Sequence, residues 1–333
     1  MMRVKLKLIS ELAGVGLATV DRVLNERGGV KPETARKVLD AARRLGWGKS
    51  LPLPYRSGLR FEILLGRREL PYVAQINDAF ERYRPLIDRS VTLQRTFVDD
   101  TKPHRVAEAI LKARCNALIV YGQEHDAVLD AVGSITSAGV PVVTMLSDLP
   151  TTPRLAYVGI DHYKAGRASA FFMAKMARRP GPVIGLYSSF QYRAQADRIA
   201  GFRDGLRDYS PDRHATVLVE GQDDETLIRD LLSQALRSHP NAAGIYNAGA
   251  FNNAIKQTLP AVHPLDRLII IAHGLTEDTM SMLEDETITI VIDHNIDLQV
   301  RQAIEVLNYR FGLSDKMYGA TSVPFTLHMR DNV

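Results

Sequence analysis

The sequence predicts a small all-α head joined to a larger α/β body, and three observations predict it. Apolar residues recur at helical spacing through residues 1–47, whereas from residue 61 onward short apolar runs alternate with amphipathic helical stretches, the pattern of parallel sheets. Between them, residues 48–60 carry Pro52, Pro54 and Gly58, which oppose a helix and read as an extended linker. Charge is also segregated. Residues 1–60 hold 13 Lys or Arg against five Asp or Glu, while the remaining 273 hold 29 against 33, so the net positive charge of the chain lies in the head.

In the head, Leu8, Ile9, Leu12 and Ala13 share one helical face, Gly14 supplies the freedom for a tight turn, and Val15 fills its corner. Gly16 stands at the N-cap of a second short helix, with Val20, Val23 and Leu24 facing in and Leu17, Ala18, Asp21 and Arg22 facing out. Pro32 opens a third helix, whose buried stripe is Ala35, Val38, Leu39, Ala42 and Leu45. The pattern is a helix-turn-helix with an outer face free to enter a DNA groove. A generic three-helix bundle that docks on a protein has the same helices, but the concentrated positive charge favours phosphate as the partner.

The body contains strand candidates at 91–98, 117–121, 140–145, 183–187, 215–219, 244–246, 268–272 and 288–292, after an opening strand from Phe61. Helices are expected near 72–87, 105–113, 126–138, 164–177, 197–209, 226–238, 250–259 and 297–311, which makes two consecutive wound units. No glycine-rich phosphate loop, nucleophile elbow or metal-ligand spacing occurs, so neither a cofactor nor an enzyme is expected. Asp99-Asp100 and Asp223-Asp224 read as caps or solvated acids at strand-to-helix turns. One cysteine, Cys115, excludes a disulfide framework and reads as a packing residue. The N-terminus lacks the apolar core of a signal peptide and no apolar run approaches about 18 residues, so a cytoplasmic protein is expected.

The run from Glu11 to Asn25, followed by Lys31–Leu39 and Ala41–Trp47, resembles the DNA-binding head of the lac repressor (LacI/GalR) family of bacterial transcription regulators. The resemblance implies that Leu17, Ala18, Thr19, Asp21, Arg22 and Asn25 lie on the DNA-facing helix. Of these, Arg22 can make a bidentate guanine contact. The chain departs from the family at Gly16 and Lys31, where capping Ser or Thr is common, and at Asp21, where Ser is usual. Asp21 can read a cytosine amino group or repel phosphate. The linker lacks the usual Asn-x-x-Ala-x-x-Leu pattern of the hinge helix that wedges the minor groove, although Leu51 and Leu53 remain available on DNA.

The two wound halves resemble the sensor of the same family, which is similar to periplasmic sugar-binding proteins. On that model, one lobe takes residues ~61–160 and ~297–321, the other ~161–293 and ~322–333, and ligand binds in the cleft at the strand ends. The implied ligand residues are Tyr72, Asp161, Arg198, Asn247, His273 and His294. Arg198 lies in Arg-x-x-Gly-Phe, and its guanidinium fork can grip two oxygens; an acidic sugar suits its charge. Asp161 accepts sugar hydroxyls or caps a helix, Tyr72 stacks on ligand or packs in the core, and the histidines donate to ligand or sit as ordinary surface groups. The resemblance thus implies a homodimeric repressor of operator DNA, controlled by a sugar or sugar derivative and lacking the heptad tail of tetrameric relatives.

Overall fold

A computed structural model describes residues 2–25, 27–47, 58–178, 180–211, 216–262, 268–314 and 322–333. The expected linker at 48–60 lies almost wholly outside the described residues. The head is three helices, α1 (Met2–Ala13), α2 (Leu17–Leu24) and α3 (Pro32–Arg44). They close around Ile9, Val20, Val23, Ala35, Val38, Leu39, Ala42 and Trp47. Gly14 adopts φ +65°, the left-handed geometry that lets the chain reverse between α1 and α2. One expectation fails here. Leu8 and Leu12 are 44% and 50% exposed, because Ile9 and the half-buried Leu6 and Ala13 carry the inward face of α1.

The body opens with β1 (Leu59–Leu65), α4 (Pro71–Tyr83), β2 (Val91–Phe97), α5 (Pro103–Lys112), β3 (Ala117–Val120), α6 (Asp126–Ser137), β4 (Val142–Met145) and β5 (Ala156–Ile160). It continues with α7 (His162–Met176), β6 (Val183–Tyr187), α8 (Arg193–Tyr209), β7 (Thr216–Glu220), α9 (Glu225–Ser238), β8 (Gly244–Asn247), α10 (Asn252–Val262), β9 (Ile269–His273), α11 (Glu277–Glu284) and β10 (Ile290–Asp293). Last come α12 (Ile296–Arg310), β11 (Ser322–Val323) and β12 (Thr326–His328). The strands form two six-stranded sheets of matching order, β11-β5-β4-β3-β1-β2 and β12-β10-β9-β8-β6-β7, parallel except for β12. Buried β-branched and leucine side chains dominate both, as sheets covered on two faces require.

Three features differ from expectation. β5 was not among the strand candidates, because five residues between a proline-containing loop and a helix offer little periodicity. α11 was missed for the same reason, although a Thr276–Thr279 capping box starts it. The terminal segment 322–333, expected to belong wholly to the second lobe, is split: β11 joins the first sheet and β12 the second.

The chain therefore passes between lobes at Asp161, at His294–Asn295 and at Pro324–Phe325. The carboxyl ends of the parallel strands face each other across the cleft between the lobes, the usual place for a ligand in open α/β sheets. Beside the crossings, α7 and α8 approach backbone to backbone. A Cβ on Gly166 would meet the Arg198 carbonyl at 2.1 Å, and one on Gly201 would meet the Tyr163 carbonyl at 2.1 Å. This contact fixes where α8 presents Arg198.

Gly201→Ala should consequently lower the urea midpoint, costing about 1–3 kcal/mol as the helices are forced apart. An unchanged midpoint would show that the helix pair is not tightly determined.

Candidate functional site

Arg198 is 7% exposed and lies between the two crossings nearest the cleft. Its Nε donates to His162 Nδ1 at 3.0 Å, its Nη1 to the Ala248 carbonyl at 2.9 Å, and its Nη2 to His294 Nε2 at 3.1 Å. These partners assign the protons of the surrounding rings. His162 accepts at Nδ1, so its Nε2 carries the hydrogen and donates to the Leu146 carbonyl at 2.6 Å. His294 accepts at Nε2, so the 3.2 Å contact with His273 is a donation from His273 Nδ1. His273 Nε2 is then left to accept from the Tyr246 hydroxyl at 2.9 Å.

Burial, reinforced by the Arg198 charge, holds all three imidazoles well below the ordinary histidine range. The site thus concentrates one permanent cation and three neutral rings. Leu146 stands at φ +64°, a left-handed conformation that costs a leucine about 1–3 kcal/mol, and its carbonyl accepts from both His162 and Tyr157. Strain at this point serves to aim an acceptor.

Arg198, His273, His294, Tyr72, Tyr121 and Phe251 line a cavity of about 290 Å³ between the lobes. Tyr72 meets Tyr121 edge to face with their hydroxyls 3.2 Å apart, and Tyr121 stacks on Tyr192 at 5.3 Å. This aromatic wall belongs partly to each lobe. Gln75, Gln195, Asn252 and Asn253 add amide groups, so the cavity combines flat apolar faces with hydrogen-bonding rims, the composition that suits a polyhydroxylated ring or chain.

The lobes are also clasped at one edge. Arg67 Nε donates to Asp100 at 2.9 Å and its Nη2 lies 3.8 Å from Asp223, while Tyr192 donates to Asp100 at 3.1 Å and Ser188 donates to Asp223. Asp100 and Asp223 are buried, so the expectation of solvated or capping acids fails for both. Burial and the Asp100 charge raise the Asp223 pKa, against the opposing effects of Ser188 and Arg67. Asp224 does cap α9, accepting from Leu227 N, and Asp99 binds Thr101 and Lys102.

Four of the six residues expected to touch ligand lie at the cavity: Tyr72, Arg198, His273 and His294. Asp161 does not. It caps α7 by accepting from Lys164 N and pairs with the Lys164 side chain, while the adjacent His162 turns inward to Arg198. Asn247 is buried beneath the loop that follows β8, bonding Ala250, Asn252 and Gly249, and so shapes the wall without lining it. Sequence reasoning missed His162, Tyr121 and Tyr192. Tyr121, directly after β3, was findable from its strand-end position.

On the head, Leu17, Ala18, Arg22 and Asn25 are exposed and Thr19 and Asp21 half-buried. Asp21 accepts from Asn25 and from Arg27, both at 2.7 Å, so its charge is neutralised within the head. The Arg22 side chain has no hydrogen bond or ion pair among the described residues and is the available fork on this face. Behind α3, Arg310 at the end of α12 donates to the Arg44 carbonyl, joining head to body. Cys115 is half-buried, and burial pushes its thiol up to about 11, consistent with packing rather than nucleophilic use.

Residues 61–310 match the family described as periplasmic binding protein domain, and residues 5–49 match the bacterial regulatory proteins of the lacI family. Catabolite control protein A of Streptococcus mutans is 24% identical over 206 residues, 60% of this chain and 59% of that protein. The transcriptional regulator DegA of Bacillus subtilis is 21% identical over 205 residues, 60% of each chain. The match thus spans about 60% of the length of these relatives. An ABC-transporter solute-binding protein from Burkholderia graminis, solved with D-arabinose, superposes with a TM-score of 0.75 at 20% identity, covering 83% of this chain and 97% of that one. No helix of the described residues is long and apolar enough to cross a membrane.

The proton assignment has a pH consequence. Each of the three histidines has a folded pKa below its unfolded value of about 6.5, so the unfolded chain binds more protons and stability falls as pH drops below about 6.5. Heteronuclear NMR of the imidazole nitrogens should find all three neutral at pH 7, with His162 carrying its proton on Nε2 and His273 on Nδ1. A protonated ring at that pH would contradict the assignment.

Proposed function

The chain belongs to the periplasmic binding protein domain family and carries ahead of it the head domain of the lacI-family regulatory proteins; from this premise we propose a ligand-controlled, sequence-specific DNA-binding regulator. It represses transcription in the cytoplasm as a homodimer and responds to a sugar or sugar derivative. The observation that carries this reading is the joining, in one chain, of an exposed helix face bearing Arg22 to a cleft built around Arg198. Regulatory relatives and an arabinose-bound structural neighbour support it. The reading of the site as a binding site is supported by its hydrogen bonding: His162 and His294 accept from Arg198, and His273 donates to His294.

Two heads in a dimer meet two half-sites, so their spacing and register set operator affinity. The ligand acts by preferring one lobe arrangement, and its differential binding energy is what shifts the equilibrium. α12 offers the physical route. It begins beside His294 and Ile296 at the cavity and ends at Arg310 on the head, a rod of 15 residues spanning about 22 Å. It rides on α4 and β5 of the first lobe, so movement of the His294 crossing is delivered to the base of α3.

Arg22→Ala should weaken binding to the DNA upstream of its own gene by about 1–3 kcal/mol and relax base preference at one position. Normal binding by this variant would remove Arg22 from the reading face. Arg198→Ala should retain operator binding and lose the response to ligand. Arg310→Ala should retain both binding activities while reducing the effect of ligand on operator affinity; an undiminished effect would exclude the α12 contact as the route.

A further inference from the structure

Arg198 is a buried cation without a counter-ion. Its three partners are a carbonyl and two neutral imidazoles, and among the described residues it forms no ion pair. Buried guanidinium groups are ordinarily matched by a carboxylate, because an uncompensated charge in the interior is costly. The carboxylates that line the same cavity do not meet this need. Asp278 accepts from the Asn253 amide at 2.7 Å, Glu225 accepts from Gln257 at 3.2 Å, and Glu69 makes no ion pair with Arg198.

Three of the five guanidinium N–H groups are used, leaving one on each terminal nitrogen. Each terminal nitrogen thus keeps a donor with which the guanidinium can bind a carboxylate. His294, holding its proton on Nδ1, has a further N–H with no partner among the described residues. Arg198 and His294 thus bring unused donors to the cavity wall, and no carboxylate pairs with Arg198 among the described residues.

We infer that the ligand carries a carboxylate, which enters this cavity as the missing counter-ion of Arg198, so that the effector is a sugar acid and not a neutral sugar. The inference rests on the cleft being the effector site and deepens it. One carboxylate balances one guanidinium, whereas a dianionic phosphate ester would bring excess negative charge beside Glu69, Glu225 and Asp278. The aromatic faces of Tyr72, Tyr121 and Phe251 and the surrounding amides receive the hydroxylated remainder.

The test is calorimetric titration of the full-length protein with matched probes: D-gluconate against sorbitol and D-galacturonate against D-galactose, with glucose 6-phosphate and glutarate as further arms. At least one acid should bind about tenfold or more tightly than its neutral partner. Arg198→Gln should lose that preference. His294→Glu, whose carboxylate reaches the position of the imidazole Nε2 beside Arg198 Nη2 and supplies the counter-ion internally, should reverse it in favour of the neutral partner. Neutral sugars binding as well as the acids would overturn the inference while leaving sugar sensing intact. Tighter binding of the phosphate ester would overturn the carboxylate assignment. Glutarate binding as tightly as the sugar acids would support the anion site and remove the polyhydroxylated reading of the effector instead.

Discussion

A single buried guanidinium organises the centre of this molecule. Arg198 is delivered by α8, whose position is set by glycine-mediated contact with α7, and it reaches residues at two of the chain's passages between lobes. His162 follows the first passage and His294 sits in the second, so the same side chain that lines the cavity also joins these two passages. The charge cannot be discarded, since arginine stays protonated under all ordinary conditions. Its environment must therefore be neutral or negative, and the rings comply by staying neutral. The ring identities, the tautomers and the strained Leu146 carbonyl all follow from accommodating one cation away from water.

The same arrangement makes coupling between cleft and head physically economical. The His294 crossing leads directly into α12, whose start is held by Gln299 donating back to the His294 carbonyl at 2.7 Å. α12 is packed along its length through Val300, Ala303, Ile304 and Leu307. At its far end Phe311 packs on Phe61 and Arg310 reaches the head. The Arg67–Asp100–Asp223 clasp joins the lobes separately, through charges that open solvent would weaken. The cavity and this clasp are thus two separate sets of contacts between the lobes.

Much of this was legible before folding. The head was readable because its core uses helical periodicity and its turn needs Gly14, and most strands were readable because buried parallel strands are short apolar runs. Arg198 stood out through its local motif, and His273 and His294 through their places at strand ends. What could not be read depends on three-dimensional partnership. Asp161 and His162 are adjacent and both polar, and only the start of α7 decides that the acid points to solvent-side Lys164 while the ring turns inward. Leu8 and Leu12 fit an apolar face by spacing, yet the face of α1 that turns inward is the one carrying Ile9, Leu6 and Ala13. Asp100 and Asp223 looked like ordinary turn acids because their partner Arg67 comes from a distant segment.

Linkage supplies the most direct measurement. If one molecule couples cleft to head, the factor by which ligand changes operator affinity must equal the factor by which operator DNA changes ligand affinity. Ligand titrations of the full-length protein, with and without saturating DNA from upstream of its own gene, measure the second factor. The predicted result is a shift in ligand affinity equal to that seen in operator binding, lost on a scrambled DNA. Ligand affinity indifferent to operator DNA would contradict a regulator and leave two independent binding modules on one chain.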